Sequence, residues 1–360
     1  MNGSTMTYVY EFLLFAAKTV FFTGAIVMVV GFLFYLGASR SRSTSSRLEI
    51  EKLNVRFKNI RSLLLSQLLD KKQFKKWMKS DKKEKKREAT SLPRPRVFVL
   101  DFDGDIRATA AESLREEVTA VLSVASDNDE VVLRLESGGG LVTSYGLAAS
   151  QLTRLHSAKV KIKLTICVDK IAASGGYMMA CVGDRILAAP FAVLGSIGVI
   201  AQVPNFNKLL KKVDIDFREV TAGEYKRTVT MFGEITEPGL RKFKEQIQDT
   251  HQLFKNFVIQ QRPKVDLERV ATGEYWYGTQ ALELGLVDEI LTSDEYILQR
   301  SEEADTYQIS FRQPKNMLTR LQSAVSNSAA AISRAVLKAL LTQTRDTSST
   351  ETHPASGIRV

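Results

Sequence analysis

Ser174 stands in Ala172-Ala-Ser-Gly-Gly-Tyr177, downstream of the apolar run Ile162–Val168. Its small neighbours leave room for a carbonyl beside the hydroxyl. A helix starting there would favour negative charge at its N-terminus. The motif alone reads either as a nucleophile or as an ordinary serine N-cap. A serine nucleophile needs a base. The chain has three histidines, His156 and His251 on expected surface helices and His353 in the tail, which argues against a Ser-His-Asp triad. A lysine can replace histidine where loss of water favours the neutral amine. Lys226, in Thr221-Ala-Gly-Glu-Tyr-Lys-Arg227, is the candidate. Taken alone, it reads first as a surface lysine beside Arg227.

A second motif, Arg134-Leu-Glu-Ser-Gly-Gly-Gly140, leaves a strand and precedes a helix. Three glycines permit a sharp turn that brings free N–H groups to a phosphate or a developing oxyanion. A plain strand–helix turn has the same composition. The Walker lysine and the dinucleotide glycine spacing are both missing. Asp101, Asp103 and Asp105 in DFDGD read as a strand end with a glycine turn rather than a metal loop. Two cysteines, Cys167 and Cys181, exclude a disulfide framework and a cysteine-rich metal site, and both read as buried thiols.

The elements that must carry these residues alternate. Val97–Leu100, Glu130–Leu135 and Ile162–Val168 read as strands, and Ala111–Val124 and Ser144–His156 as helices. Strands separated by helices imply right-handed crossovers and a largely parallel, buried sheet. Gly239–Gln261 reads as a long helix and Thr279–Leu286 as a shorter one. The apolar stretch Ile186–Val203 contains Pro190, Gly195, Ser196 and Gly198, and reads as buried strand rather than membrane span. Hydrophobic residues at 44% and charged residues at 25% exclude a mostly disordered chain and a polytopic membrane protein.

The ends differ from this core. Thr19–Ser39 carries no charge, and Thr19–Gly37 as a helix would match a bilayer's ~30 Å hydrocarbon thickness. It is expected to be a retained anchor, because the apolar region is long for a signal peptide and little positive charge precedes it. Residues 40–96 hold 19 Lys+Arg against 6 Asp+Glu, so the net charge of +10 belongs to this segment and the rest sums to −3. Beside a span, such a run suits anionic lipid head groups better than nucleic acid. Positive residues after the span place the C-terminal bulk in the cytoplasm.

Five motifs occur in order: GG at 139–140, ASGGY at 173–177, GSIGV at 195–199, AGEYKR at 222–227 and ALELGLVDEI at 281–290. Together they resemble the signal peptide peptidase A family of serine proteases over about residues 97–300. The resemblance implies an α/β, Clp/crotonase-like fold and a place in the bacterial inner membrane. It implies Ser174 as nucleophile and Lys226, 52 positions later, as general base. Ser196 matches the serine that orients the lysine, and Gly140 and Gly175 match the backbone oxyanion donors. The family's usual Ser-Pro-Gly-Gly is here Ser137-Gly-Gly-Gly140, which gives that loop more backbone freedom.

The expected organisation is therefore an anchor at 1–39, a basic juxtamembrane linker at 40–96, a Ser-Lys protease domain at 97–300, a C-terminal strand and amphipathic helix at 301–342, and a disordered tail at 343–360. The expected activity is hydrolysis of peptide bonds in membrane-associated peptides or unfolded proteins. No metal or organic cofactor and no nucleic acid is implied. Because the chain has one Ser-Lys set, whereas double-length relatives draw serine and lysine from different halves, a homo-oligomer sharing the pair between subunits is expected. The rival readings are a crotonase-like acyl-CoA enzyme and an inactive membrane scaffold that binds peptides.

Overall fold

The computed structural model describes residues 14–15, 18–25, 47–88 and 94–312. The chain divides into two compact units, Leu48–Arg312 and residues 1–47 with 313–360. In the second of these, residues 18–25 are helical. Most of the expected anchor at 19–37 lies outside the described residues, as do the amphipathic stretch 317–341 and the tail. Among the described residues no helix is long and apolar enough to cross a membrane.

The larger unit is built on a sheet ordered β1 (Arg47–Lys52), β10 (Asp305–Arg312), β2 (Arg96–Gly104), β3 (Glu130–Ser137), β4 (Lys163–Val168), β6 (Arg185–Ala188) and β9 (Glu289–Ile290). From β10 to β9 every pairing is parallel. Parallel pairing demands cover on both faces, and the strands read accordingly as nearly continuous apolar runs. Phe98, Leu100, Leu133 and Ile166 point to one face, under α3 (Ala111–Val124), α4 (Val142–His156) and α7 (Glu237–Gln261). Val97, Val99, Val132 and Cys167 point to the other, under α1 (Leu53–Leu68) and α10 (Ser293–Glu303). Each fully buried side chain of this size contributes about 1.5–3 kcal/mol.

Residues 40–96, expected as a linker, include β1, α1 and α2 (Lys71–Glu88). The root of α1 is fixed to the core. Asn54 donates to the carbonyls of Ser301 and Ala304 at 2.7 and 2.9 Å and accepts from Thr306 N–H at 2.8 Å.

The stretch Ile186–Val203 holds β6, β7 (Val193–Gly195) and turns, so it does not form one helix. Here the sheet divides. Beyond Arg134, β3 exchanges β4 for β5 (Ile171–Ala173), which pairs in parallel with β7, which pairs antiparallel with β8 (Tyr275–Tyr277). This three-stranded branch of the sheet, a small sheet in its own right, carries the turns that hold Ser174 and Ser196.

Candidate active site

Two serines leave this small sheet side by side. Ala173 and Gly195 are register partners of β5 and β7, so Ser174 and Ser196 are the next residue on each strand. The Ser174 N–H donates to the Gly195 carbonyl at 2.8 Å. Both serines have positive φ, 52° for Ser174 and 50° for Ser196. A residue with a Cβ pays for such a conformation, and strained strand-to-helix turns of this kind expose nucleophiles. Ser174 precedes α5 (Gly175–Ala180), yet its side chain makes no capping hydrogen bond. The hydroxyl is thus not spent on the helix end, as the N-cap reading of the sequence would require.

The triple-glycine turn closes over it. A Cβ on Gly140 would lie 2.1 Å from the Ile106 carbonyl oxygen, and one on Gly139 would lie 2.7 Å from the Gly175 nitrogen. Gly139 also has φ +87°. Only glycine lets the two turns approach this closely. The Gly139 N–H is occupied by Ser137 Oγ at 3.1 Å and the Leu141 N–H by the Ile106 carbonyl at 2.9 Å. Between them, the Gly140 N–H has no acceptor among the described residues, and neither has the Gly175 N–H. Ser174, Gly140 and Gly175 share a cavity of about 20 Å³ with Val142, Met178, Gly198, Val199, Thr250 and Phe254. That is space for roughly one water or one methyl group. Thr250 and Phe254 come from α7, about 75 positions from Ser174, and nothing in their local sequence marks them.

Lys226 is placed differently. It is exposed, and its N–H donates to the Gly223 carbonyl at 3.1 Å, closing a turn at positive-φ Gly223. It does not line the Ser174 cavity. Within one chain the structure brings together Ser174, Ser196, Gly140 and Gly175, and leaves Lys226 outside. The histidines have other partners. His156 meets Asp184 at 3.4 Å, which raises its pKa, and His251 meets the Ile197 carbonyl at 3.1 Å. Both thiols are buried and pushed far above the usual range by loss of water, so neither is a nucleophile. Among the described residues no group of three or more His, Cys, Asp or Glu side chains is arranged to hold a metal.

Sequence comparison places the chain among peptidases. The profile of the peptidase family S49 N-terminal domain matches residues 7–152, and that of peptidase family S49 matches residues 156–306. The chain is 48% identical over 302 residues to a "Probable protease SohB" of Haemophilus influenzae, covering 80% of this chain and 85% of that one. Proteins of the same printed name from two Buchnera aphidicola subspecies, Schizaphis graminum and Acyrthosiphon pisum, are 46% and 45% identical. Those alignments cover 84% and 89% of this chain, and 89% and 95% of theirs. The chain belongs to peptidase family S49.

Proposed function

We propose that the protein is a membrane-anchored serine endopeptidase of Clp/crotonase-like fold, with Ser174 as nucleophile and Lys226 as general base. One observation carries the reading. A serine at positive φ, with an uncapped hydroxyl, shares one small cavity with two glycines whose N–H groups are unengaged. The neutral Lys226 amine takes the Ser174 proton as Oγ attacks the peptide carbonyl. Gly140 and Gly175 N–H groups bind the tetrahedral oxyanion. Lys226 then protonates the leaving amine, and water attacks the acyl-enzyme in the reverse sense. Ser196, one register step away, holds the lysine amine. The cavity admits a small apolar side chain beside the scissile bond.

Lys226 sits on an arm that a second copy of the chain would cover. No residue between Ile197 and Phe254 is buried. The arm exposes Ile200, Leu209, Val213, Ile215, Val220 and Met231. Such a surface marks an interaction site. Only the neutral amine is a base, and removal from water favours it, so Lys226 acts once its arm is covered against a neighbour's Ser174. The active form is then a ring with heterologous interfaces.

Residues 19–37 anchor the protein in the bacterial inner membrane, with the catalytic unit in the cytoplasm. The α1–α2 hairpin, joined by a Lys58–Asp81 ion pair at 3.2 Å, rests on anionic head groups. It exposes Ile60, Leu63, Leu64 and Leu68 on α1 and carries a run of lysines on α2. Alkaline carbonate extraction tests the anchor. A fluorophosphonate probe tests the chemistry. It labels wild type and not Ser174→Ala, and equal labelling of both overturns the assignment of Ser174.

A further inference from the structure

A buried chain of hydroxyls runs beneath the glycine turn. Tyr145, on α4, is fully buried, and its phenol donates to the Asp105 carbonyl at 2.7 Å. The phenol has one hydrogen and gives it to Asp105, so the single Ser137 hydrogen goes to the phenol at 2.5 Å rather than to the Gly104 carbonyl, which lies 3.4 Å from Ser137 Oγ. Ser137 Oγ in turn accepts from the Gly139 N–H at 3.1 Å. The donors therefore run one way, from Gly139 through Ser137 and Tyr145 to Asp105. Aligned hydrogen bonds in a water-free interior strengthen one another. Burial also raises the phenol pKa further, which keeps it a donor.

Both ends of the chain are fixed. The Asp105 carboxylate accepts from the N–H groups of Arg107 and Thr109 and from the Thr109 hydroxyl, at 3.1, 2.9 and 3.0 Å. The next carbonyl, Ile106, accepts from Leu141 N–H. The Tyr145 ring also fills the space behind Gly175, where a Cβ would come within 2.4 Å of Tyr145 Cγ. One side chain thus abuts both Gly175 and, through Ser137, the Gly138–Gly140 turn. Three successive glycines lose more backbone freedom on ordering than any other triplet.

We propose that Tyr145 and Ser137 are positioning residues that set the Gly140 N–H against the Gly175 N–H, with the hydroxyl chain restraining the triple-glycine turn. The inference rests on the oxyanion role of those two N–H groups. Catalysis by preorganised donors depends on their aim, and outright removal of one donor costs about 10²–10³-fold. Misaiming one is expected to cost less.

The test uses the full-length protein and compares Tyr145→Phe, Ser137→Ala and a buried control, Val121→Ala on α3. Expected for Tyr145→Phe is a fall in kcat of about tenfold with KM within about twofold. Affinity for a peptide aldehyde, which forms the tetrahedral adduct, should fall in parallel. Amide hydrogen exchange at 139–141 should accelerate in Tyr145→Phe and Ser137→Ala. Val121→Ala should lower the melting temperature and leave kcat unchanged. If Tyr145→Phe loses stability as the control does but keeps wild-type kcat and aldehyde affinity, the positioning role is overturned while the peptidase reading stands. If Tyr145→Phe fails to fold, Ser137→Ala decides by the same criteria. If the fluorophosphonate probe does not label wild-type Ser174, both readings fall together.

Discussion

The serine side and the lysine side of the proposed dyad are built in opposite ways. Ser174 emerges from a strand inside a closed core, beneath the triple-glycine turn and the Tyr145 ring. Lys226 emerges from a 56-residue stretch between Ile197 and Phe254 in which nothing is buried. That arm contains one six-residue helix before α7 and closes on itself with a few contacts. Asn205 donates to the carbonyls of Thr230 and Gly233, and Phe232 packs between Phe206 and Phe217. The contrast separates what one chain can preorganise from what an assembly must supply. The proposed oxyanion donors need fixed aim, which a packed core can give. A lysine base needs removal from water, and an exposed arm gives that only when something covers it.

The largest expected effect falls on the serine side. Ser174→Ala should lower kcat by about 10⁴-fold or more, since nucleophile and acyl-enzyme are lost together. Circular dichroism should report an intact fold, because the hydroxyl caps nothing. Lys226→Ala should be almost as severe in turnover, with substrate affinity retained and no change in melting temperature, because the side chain contributes no packing in the isolated chain. Activity that instead follows substitution of His156 or His251 would break the contrast by taking the role of base away from Lys226. Gly140→Ala comes next, at about 10²-fold in kcat, because its Cβ meets the Ile106 carbonyl and turns the donor away.

These expectations came into view from the sequence unevenly. The α/β alternation was legible because its strands are long and apolar, and Ala111–Val124 has the bounds its periodicity suggests. The small sheet β5–β7–β8 was not legible. Its strands have three residues each, too short for any period to register. Yet that sheet puts Ser196 beside Ser174, a relation 22 positions of sequence cannot express. Glycine and serine motifs marked the turns because close backbone approach demands those residue types. Tyr145 gave no signal, being one aromatic on the buried face of an ordinary helix. Strand β10 was equally hidden as a neighbour of β2, since their pairing joins residues about 200 positions apart.

A milder substitution sharpens the arm's side of the comparison. Val220, 97% exposed, should tolerate Glu without loss of monomer stability. Val220→Glu should nevertheless weaken self-association, so that activity becomes steeply dependent on protein concentration. Analytical ultracentrifugation against specific activity checks this, and unchanged assembly would free the arm from the role given to it.

The smallest effect lies wholly inside the core. Burial lifts the Glu117 carboxyl from its ordinary 4.5 to about 7, with Asp101 adding to the rise and the Phe311 N–H opposing it. Its Oε1 accepts from that N–H at 2.7 Å, and its Oε2 has no partner among the described residues. Between pH 4.5 and 7 the folded state holds a proton the unfolded chain has released, so stability falls as pH rises through this window. Glu117→Gln keeps the Phe311 bond and removes the ionisation. Urea unfolding should show it more stable than wild type at pH 8, by about 1–3 kcal/mol, and similar at pH 4. Peptidase activity per folded molecule should not change.

The division of the dyad between subunits is tested most directly by mixing two dead variants. Ser174→Ala and Lys226→Ala are each expected to be inactive alone. They are combined under conditions where labelled subunits are seen to exchange, and peptide hydrolysis is followed against mixing ratio. If the serine of one copy works with the lysine of the next, some interfaces regain both wild-type residues. Activity should then appear, peak near equal proportions and vanish at either extreme. Verified exchange with no activity at any ratio would place both residues of the dyad within one chain and contradict the account.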